Sequence, residues 1–159
     1  MRAISVTRRE LIAKIDRWLE QLESQEIAPT HMLGMARKAF PDYEHLLGQA
    51  LQQHAARYFQ EGLETLVKRS TVKQQRVDKM TQGDILMIFD NLASSSLELK
   101  EIFGSVKGQM RVIKSVRNRL MHENPPLEDI ENDVQTALKE LKALLSQAIF
   151  WSSPAERAV

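Results

Sequence analysis

The spacing of apolar residues constrains the fold of this chain more than any other feature of its sequence. Along most of the chain these residues recur at every third or fourth position, as Leu11, Ile15, Trp18 and Leu22 do, which places them on one face of an α-helix. No stretch alternates polar and apolar residues for long enough to form a half-buried strand. Six glycines and five prolines in 159 residues leave few positions that interrupt helices. The sequence therefore predicts an all-α protein.

Capping residues and prolines predict where the helices begin and end. Thr7 and Glu10 have the spacing of a capping box at the start of a first helix. Pro41 is expected to end a short second helix that follows Pro29, because proline interrupts a helix interior. Gly104 and Gly108 are candidate break points in a later helix. The predicted helices cover, in order, about 7–25, 29–40, 42–69, 81–93, 98–122 and the segment after Pro125-Pro126, with a loop at 70–80.

These elements predict a single all-α domain over residues 1–159. Four main helices form a bundle over 42–150, and short helices over 1–40 form an N-terminal extension. The absence of cysteine excludes disulfides, thiolate zinc sites and cysteine nucleophiles, and fits a reducing compartment. No apolar run approaches the roughly 20 residues that span a bilayer. We therefore expect a cytoplasmic protein that has no membrane association, no metal site and no cofactor.

The distribution of charge says more than the net charge of +1. Residues 105–122 carry five basic side chains and no acid, whereas residues 123–133 carry five acids and no base. A second basic stretch lies at 68–79. Both stretches are read either as solvated surface or as an anion-binding face. On the second interpretation, the candidate contacts to RNA are Arg111, Lys114 and Arg119 in the first stretch and Lys73, Arg76 and Lys79 in the second.

The end of the penultimate predicted helix carries several polar side chains that are able to take part in a reaction. On a wheel with about 100° per residue, Val112, Ile113, Val116 and Leu120 form the core face. The opposite side carries Arg111, Lys114, Ser115, Asn118 and His122. Arg117 lies between these two faces, and its long side chain can approach an imidazole that turns off the helix end. The simplest interpretation is a basic helix terminus that complements the helix dipole.

A second interpretation is a site that cleaves RNA. Attack by a 2′-hydroxyl on the neighbouring phosphate needs a base, an acid and a cation that stabilises the charge developing on phosphorus. Histidine can transfer protons near neutral pH, and arginine offers a planar fork that matches phosphate oxygens. Each chain provides one such histidine, so a twofold dimer would supply the second proton-transfer group.

Residues 117–122, Arg-Asn-Arg-Leu-Met-His, follow the pattern R-N-x-x-x-H. In an all-α chain of this length, the motif resembles the HEPN superfamily (higher eukaryote and prokaryote nucleotide-binding domains). In that family the motif ends a penultimate bundle helix, and its arginine and histidine carry metal-independent endoribonuclease activity in a dimer cleft. The resemblance covers roughly residues 42–150.

The resemblance assigns a role to each residue of the motif. Arg117 would contact the phosphate, Asn118 would be the polar support that holds the imidazole or the phosphate, and His122 would transfer protons. It implies an endoribonuclease that acts as a toxin or a phage-defence effector, with an antitoxin or other defence-system protein as a partner. Glu123-Asn124-Pro125 replaces the tyrosine-bearing tail of those toxins that a nucleotidyltransferase partner silences.

An alternative function stays open at this stage. The family also contains members without demonstrated catalysis, so the chain could be a catalytically silent helical module that binds a partner protein or RNA. His31, His45 and His54 lie in other predicted helices without the spacing of metal ligands, and we expect structural or surface roles for them.

Overall fold

The computed structural model describes residues 7–122 and 125–151, and within these ranges it contains seven α-helices and no strand. The all-α class is confirmed. The helices are α1 (Arg8–Ser24), α2 (Pro29–Tyr58), α3 (Leu63–Arg69), α4 (Gln82–Ala93), α5 (Leu97–Leu120), α6 (Leu127–Leu145) and α7 (Ala148–Trp151), with a 3-10 turn at Val77–Lys79. Glu123 and Asn124 lie outside the described residues. Among the described helices, none combines the length and the apolar character needed to cross a membrane.

The predicted start of the first helix is confirmed. Thr7 is the N-cap of α1, and its hydroxyl accepts a hydrogen bond from the Glu10 amide at 3.1 Å. The Glu10 carboxylate accepts in return from the Thr7 hydroxyl at 3.0 Å, rather than from the Thr7 amide as in the usual capping box.

The prediction that Pro41 ends a short helix is wrong. α2 runs for 30 residues and includes Pro41 in its interior. Phe40 and Tyr43, on either side of the proline, are fully buried, whereas Pro41 itself is exposed. The continuous apolar face therefore outweighs the loss of one helical hydrogen bond at a solvent-facing position. The predicted long helix to Arg69 is also divided, because Gly62 adopts φ +93° between α2 and α3.

α5 is continuous through both candidate break points. Gly104 and Gly108 lie on its exposed side, and the residues that line its other face are buried, namely Leu99, Phe103, Val106, Met110, Ile113, Val116 and Leu120. The helical wheel assigns Val112 to the core face, yet this side chain is 43% exposed. Its position lies at the margin of the buried stripe, and Met110 is fully buried instead.

The described chain divides into two compact units, and each takes in residues from distant parts of the sequence. The first comprises the described residues up to Tyr43 together with Gln109–Ser146. In this unit α1 packs along α6, burying Leu11 and Ile15. Lys142 pairs with Asp16 at 2.6 Å. The prediction of an N-terminal extension to a 42–150 bundle stays a prediction, and the packing of α1 on α6 is the structural fact that bears on that N-terminal segment.

The second unit comprises Glu44–Gly108 and the described residues from Gln147 onwards. Four of its aromatic or imidazole rings, those of His54, Phe89, Phe103 and Phe150, form a cluster. The imidazole of His54 donates from Nε2 to the Phe150 carbonyl at 2.9 Å, so the structural role expected of this histidine is confirmed. Ile149 lies in α7 and is 61% exposed.

The predicted loop at 70–80 also belongs to the second unit. It contains the 3-10 turn, and the side chains of Val72 and Met80 anchor it because both are buried. At its far end the carboxylate of Glu44 accepts a hydrogen bond from the Gln82 amide at 2.5 Å, which satisfies a donor in the first turn of α4.

Candidate active site at the end of α5

The motif of residues 117–122 spans the point where α5 ends. The last helical residue is Leu120, whose side chain is almost fully buried, and the Met121 amide still donates to the Arg117 carbonyl at 2.8 Å. His122 comes two residues after this end and is exposed. The expectation that His122 turns off the helix is therefore confirmed, and the buried Leu120 fixes the place where it does so.

Asn118 and His122 line the same cleft. Of the described residues, Asn118, Arg119, His122, Pro125 and Pro126 form its walls, and its volume is about 520 Å³. The two prolines contribute apolar surface to its wall. The cleft therefore presents an imidazole and a side-chain amide to solvent on one surface.

Arg117 occupies a different position from its neighbours. It is half-buried, whereas Asn118 and Arg119 are exposed, and it does not line the cleft. This agrees with its place between the core face and the polar face of the helix. The structure thus brings Asn118 and His122 together and leaves Arg117 at the border of the core.

Arg119 is held by a carboxylate of α6. Its Nε and Nη2 atoms donate to the two carboxylate oxygens of Asp133, each at 3.0 Å, and Nη1 donates to the Ser115 hydroxyl at 3.1 Å. The Asp133 side chain is only 10% exposed. The hydrogen bond to Asp133 raises the pKa of Arg119, and the negative charges of Asp133 and Asp129 act in the same direction. Arg119 therefore joins α5 to α6, and its charge is largely neutralised.

Arg37 is the residue at this site that no sequence pattern indicated. From α2, its Nε donates to the Leu120 carbonyl at 3.1 Å and its Nη2 donates to the His122 carbonyl at 2.8 Å. These carbonyls lie 83 and 85 positions further along the chain, so a local motif could not reveal the interaction. A positive charge at the C-terminal end of a helix is also favourable for the helix dipole.

The other basic candidates fall into two groups that belong to different units. Arg111 and Lys114 are exposed on the C-terminal half of α5, in the unit that contains the motif. Lys73, Arg76 and Lys79 belong to the second unit and are not buried. Of these three, Arg76 is paired with Asp78 at 3.0 Å.

The described residues contain no group of three histidine or carboxylate side chains that could hold a metal ion. The end of α5 presents an imidazole, a side-chain amide and nearby guanidinium groups. Comparison of the chain with protein-family models, with curated proteins and with solved structures found no match in any of the three.

Proposed function

We propose that this protein is a metal-independent endoribonuclease of the HEPN type and that His122 is its proton-transfer residue. The observation that supports this most directly is the exposed His122 beside Asn118 in a cleft at the end of α5. An exposed imidazole there can reach a substrate, and the buried residues of α5 give it a rigid base. The R-N-x-x-x-H motif and the all-α fold are further support.

In the proposed reaction, the ribose 2′-oxygen attacks the adjacent phosphorus and the bond from phosphorus to the 5′-oxygen breaks. One proton leaves the 2′-hydroxyl and another is delivered to the departing 5′-oxygen. The products are a 2′,3′-cyclic phosphate and a free 5′-hydroxyl. His122 transfers a proton, and Asn118 orients the phosphate or the imidazole. The role of Arg117, stabilising the charge on the phosphate oxygens, follows from the family resemblance alone, because Arg117 does not line the cleft.

The same chemistry leads us to propose a homodimer. One histidine per chain cannot readily serve as both base and acid in a single step, so a second copy would complete the pair. Apolar surface close to His122 in sequence supports an interface there, since Met121 is 37% exposed and Leu127 is 70% exposed. If these two side chains form one contiguous apolar patch, that patch would suit an interface with a partner.

RNA binding would rest on the basic residues that lack a carboxylate partner. Among the described residues, Arg111, Lys114, Lys73 and Lys79 form no salt bridge. Arg119 and Arg76 contribute less on this proposal, because Asp133 and Asp78 already neutralise them. The role of a cytoplasmic toxin or phage-defence effector, with an antitoxin or other protein partner, follows from the family resemblance alone.

The experiment that tests this function is cleavage of total RNA by the purified protein in the presence of EDTA. We expect products that end in a 2′,3′-cyclic phosphate, and we expect DNA and 2′-blocked RNA to survive. His122→Ala should lower the rate by on the order of 10²-fold or more, and Arg117→Ala by a comparable factor. His31→Ala is the matched control, because His31 is also exposed, on α2 of the same unit.

Full activity in His122→Ala, or activity that EDTA abolishes, would refute the proposal. A second candidate is a catalytically silent module that binds RNA or a protein. The position of Arg117 favours it, since the arginine to which the motif assigns the phosphate contact is half-buried and does not line the cleft. RNA binding without cleavage by the unaltered protein would support this second candidate.

A further inference from the structure

We infer that Arg37 is the positioning residue of this site, and that it fixes the backbone turn from which His122 projects. The effect of Arg37 on catalysis rests on the proposed function. The hydrogen bonds that Arg37 makes do not depend on that proposal. Arg37 lies on α2, outside the R-N-x-x-x-H motif, and it touches the two backbone carbonyls that flank the turn.

The two hydrogen bonds of Arg37 place restraints on both sides of the helix end. The bond at 3.1 Å reaches Leu120, the last residue of α5, and the bond at 2.8 Å reaches His122 itself. Both come from one planar guanidinium, so the separation and direction of the two carbonyls are set together. Arg37 is thus bonded to the main-chain carbonyl of His122.

Arg37 has a firm base from which to exert this restraint. On α2 its helical neighbours Ala36 and Phe40 are fully buried, so the backbone that carries the guanidinium is held by packing. The last carbonyls of a helix have no partner within the helix, and chain ends of this kind fray when nothing binds them. The Arg37 bonds supply that partner where the chain would otherwise be least restrained.

A second arginine holds the same segment through hydrogen bonds to another helix. Arg119 joins α5 to Asp133 of α6, so the last turn of α5 is bonded to α6 by one arginine and to α2 by the other. Arg119 restrains only the last turn of α5. Arg37 also restrains His122, which lies beyond the end of that helix. A displacement of about 1 Å in a reacting group can lower a rate by on the order of 10²-fold. Removal of the Arg37 side chain should therefore lower the rate of RNA cleavage.

The test compares Arg37→Ala and Arg37→Lys with Arg8→Ala. Arg8 makes the same kind of hydrogen bond in the same unit, since its Nη1 donates to the Leu145 carbonyl at the end of α6 at 2.6 Å. Removal of either arginine should therefore lower the melting temperature to a similar extent. Only Arg37→Ala should lower kcat for RNA cleavage, by about tenfold or more with KM within about twofold, and Arg37→Lys should restore part of the activity.

A second measurement reads the turn without RNA. Hydrogen exchange of the Met121 amide, which is bonded to the Arg117 carbonyl, should be about tenfold faster in Arg37→Ala and unchanged in Arg8→Ala. An unaltered protein that does not cleave RNA would refute the proposed function, and this exchange would still decide whether Arg37 holds the turn. Unchanged exchange, unchanged kcat in Arg37→Ala, or an equal decrease of kcat in Arg8→Ala would overturn the inference.

Discussion

The arginines near the end of α5 show that neighbours with the same charge take different roles. Arg119 is bonded to a carboxylate, Arg37 to two main-chain carbonyls, and Arg117 is half-buried at the border of the core. Arg111 is exposed and forms no ion pair among the described residues. Charge along the sequence therefore indicates where a basic region lies, but partners and burial decide which guanidinium can meet a substrate.

At this scale we predict that the Arg119–Asp133 pair contributes to stability. Arg119→Ala leaves a carboxylate that is only 10% exposed without its two charged hydrogen bonds. We expect the free energy of unfolding in urea to fall by about 1–3 kcal/mol, near the lower end because the Arg119 side chain is 51% exposed. Lys114→Ala, on an exposed position of the same helix, should change it by less than about 0.5 kcal/mol.

A double-mutant cycle separates this pair from general effects of charge. If the two side chains act together, the decrease in stability of Arg119→Ala with Asp133→Ala should be smaller than the sum of the decreases in the single variants. Strictly additive decreases would show that the pair seen in the structure contributes no coupling energy.

At the scale of helices, local patterns predicted most elements and missed those that depend on distant packing. The cap at Thr7, the start of α4 after Thr81 and the start of α6 after Pro125-Pro126 follow from residues close in sequence. Pro41 is different, because the helix continues through it only where buried neighbours outweigh a local penalty. Of the site, sequence placed Asn118 and His122 on one side, whereas Arg37 and Asp133 are brought to it by tertiary structure alone.

We predict that Pro41→Ala stabilises the protein. Proline costs about 3 kcal/mol relative to alanine in a helix interior, and Pro41 is exposed, so removal of its ring should not disturb the core. The free energy of unfolding should rise by about 1–3 kcal/mol, measured by urea denaturation. Pro29→Ala is the matched control, because Pro29 is the first residue of the same helix, where proline is tolerated. A lower stability of Pro41→Ala would show that α2 needs the proline.

At the scale of the whole molecule, the two units give two expectations about assembly and RNA binding. The unit with the motif carries the apolar residues Met121 and Leu127 and the exposed Arg111 and Lys114. The other unit carries the basic stretch of the 70–80 loop, separated from the motif in sequence by most of two helices. Dimer formation and RNA binding can therefore each be altered without changing Arg117, Asn118 or His122.

We predict that Leu127→Asp prevents dimer formation and RNA cleavage together. Leu127 is the first residue of α6 and is 70% exposed, so a carboxylate there should leave folding intact while opposing burial in an interface. Leu97→Asp is its control, as Leu97 is the first residue of α5 and is 74% exposed. Light scattering should give a monomer for the first variant and a dimer for the second. A monomeric unaltered protein that cleaves RNA would contradict the dimer proposal.

We also predict that the 70–80 loop contributes to RNA binding through Lys73 and Lys79. Replacing both with alanine should reduce the slope of log affinity against log salt concentration by about 0.7 for each phosphate that is no longer neutralised. Arg76→Ala should reduce it less, since Asp78 pairs with that arginine, and Lys68→Ala is a control for the paired state because Lys68 lies 3.4 Å from Glu64. An unchanged slope in the double variant would show that the basic residues of this loop are solvated surface and do not bind RNA.

The long separation between Arg37 and the carbonyls it holds has a consequence for the order of events during protein synthesis. During synthesis Arg37 leaves the ribosome well before His122, which is 85 positions later. In the same way, α1 emerges long before α6, the helix against which it packs. A nascent chain therefore carries Arg37 without the carbonyls that it binds until His122 has been made, and Arg119 without its partner until Asp133 has been made. For the ribonuclease that we propose, the messenger RNA is read beyond the codon for Asp133 before the chain that it encodes can assemble a site able to cut it.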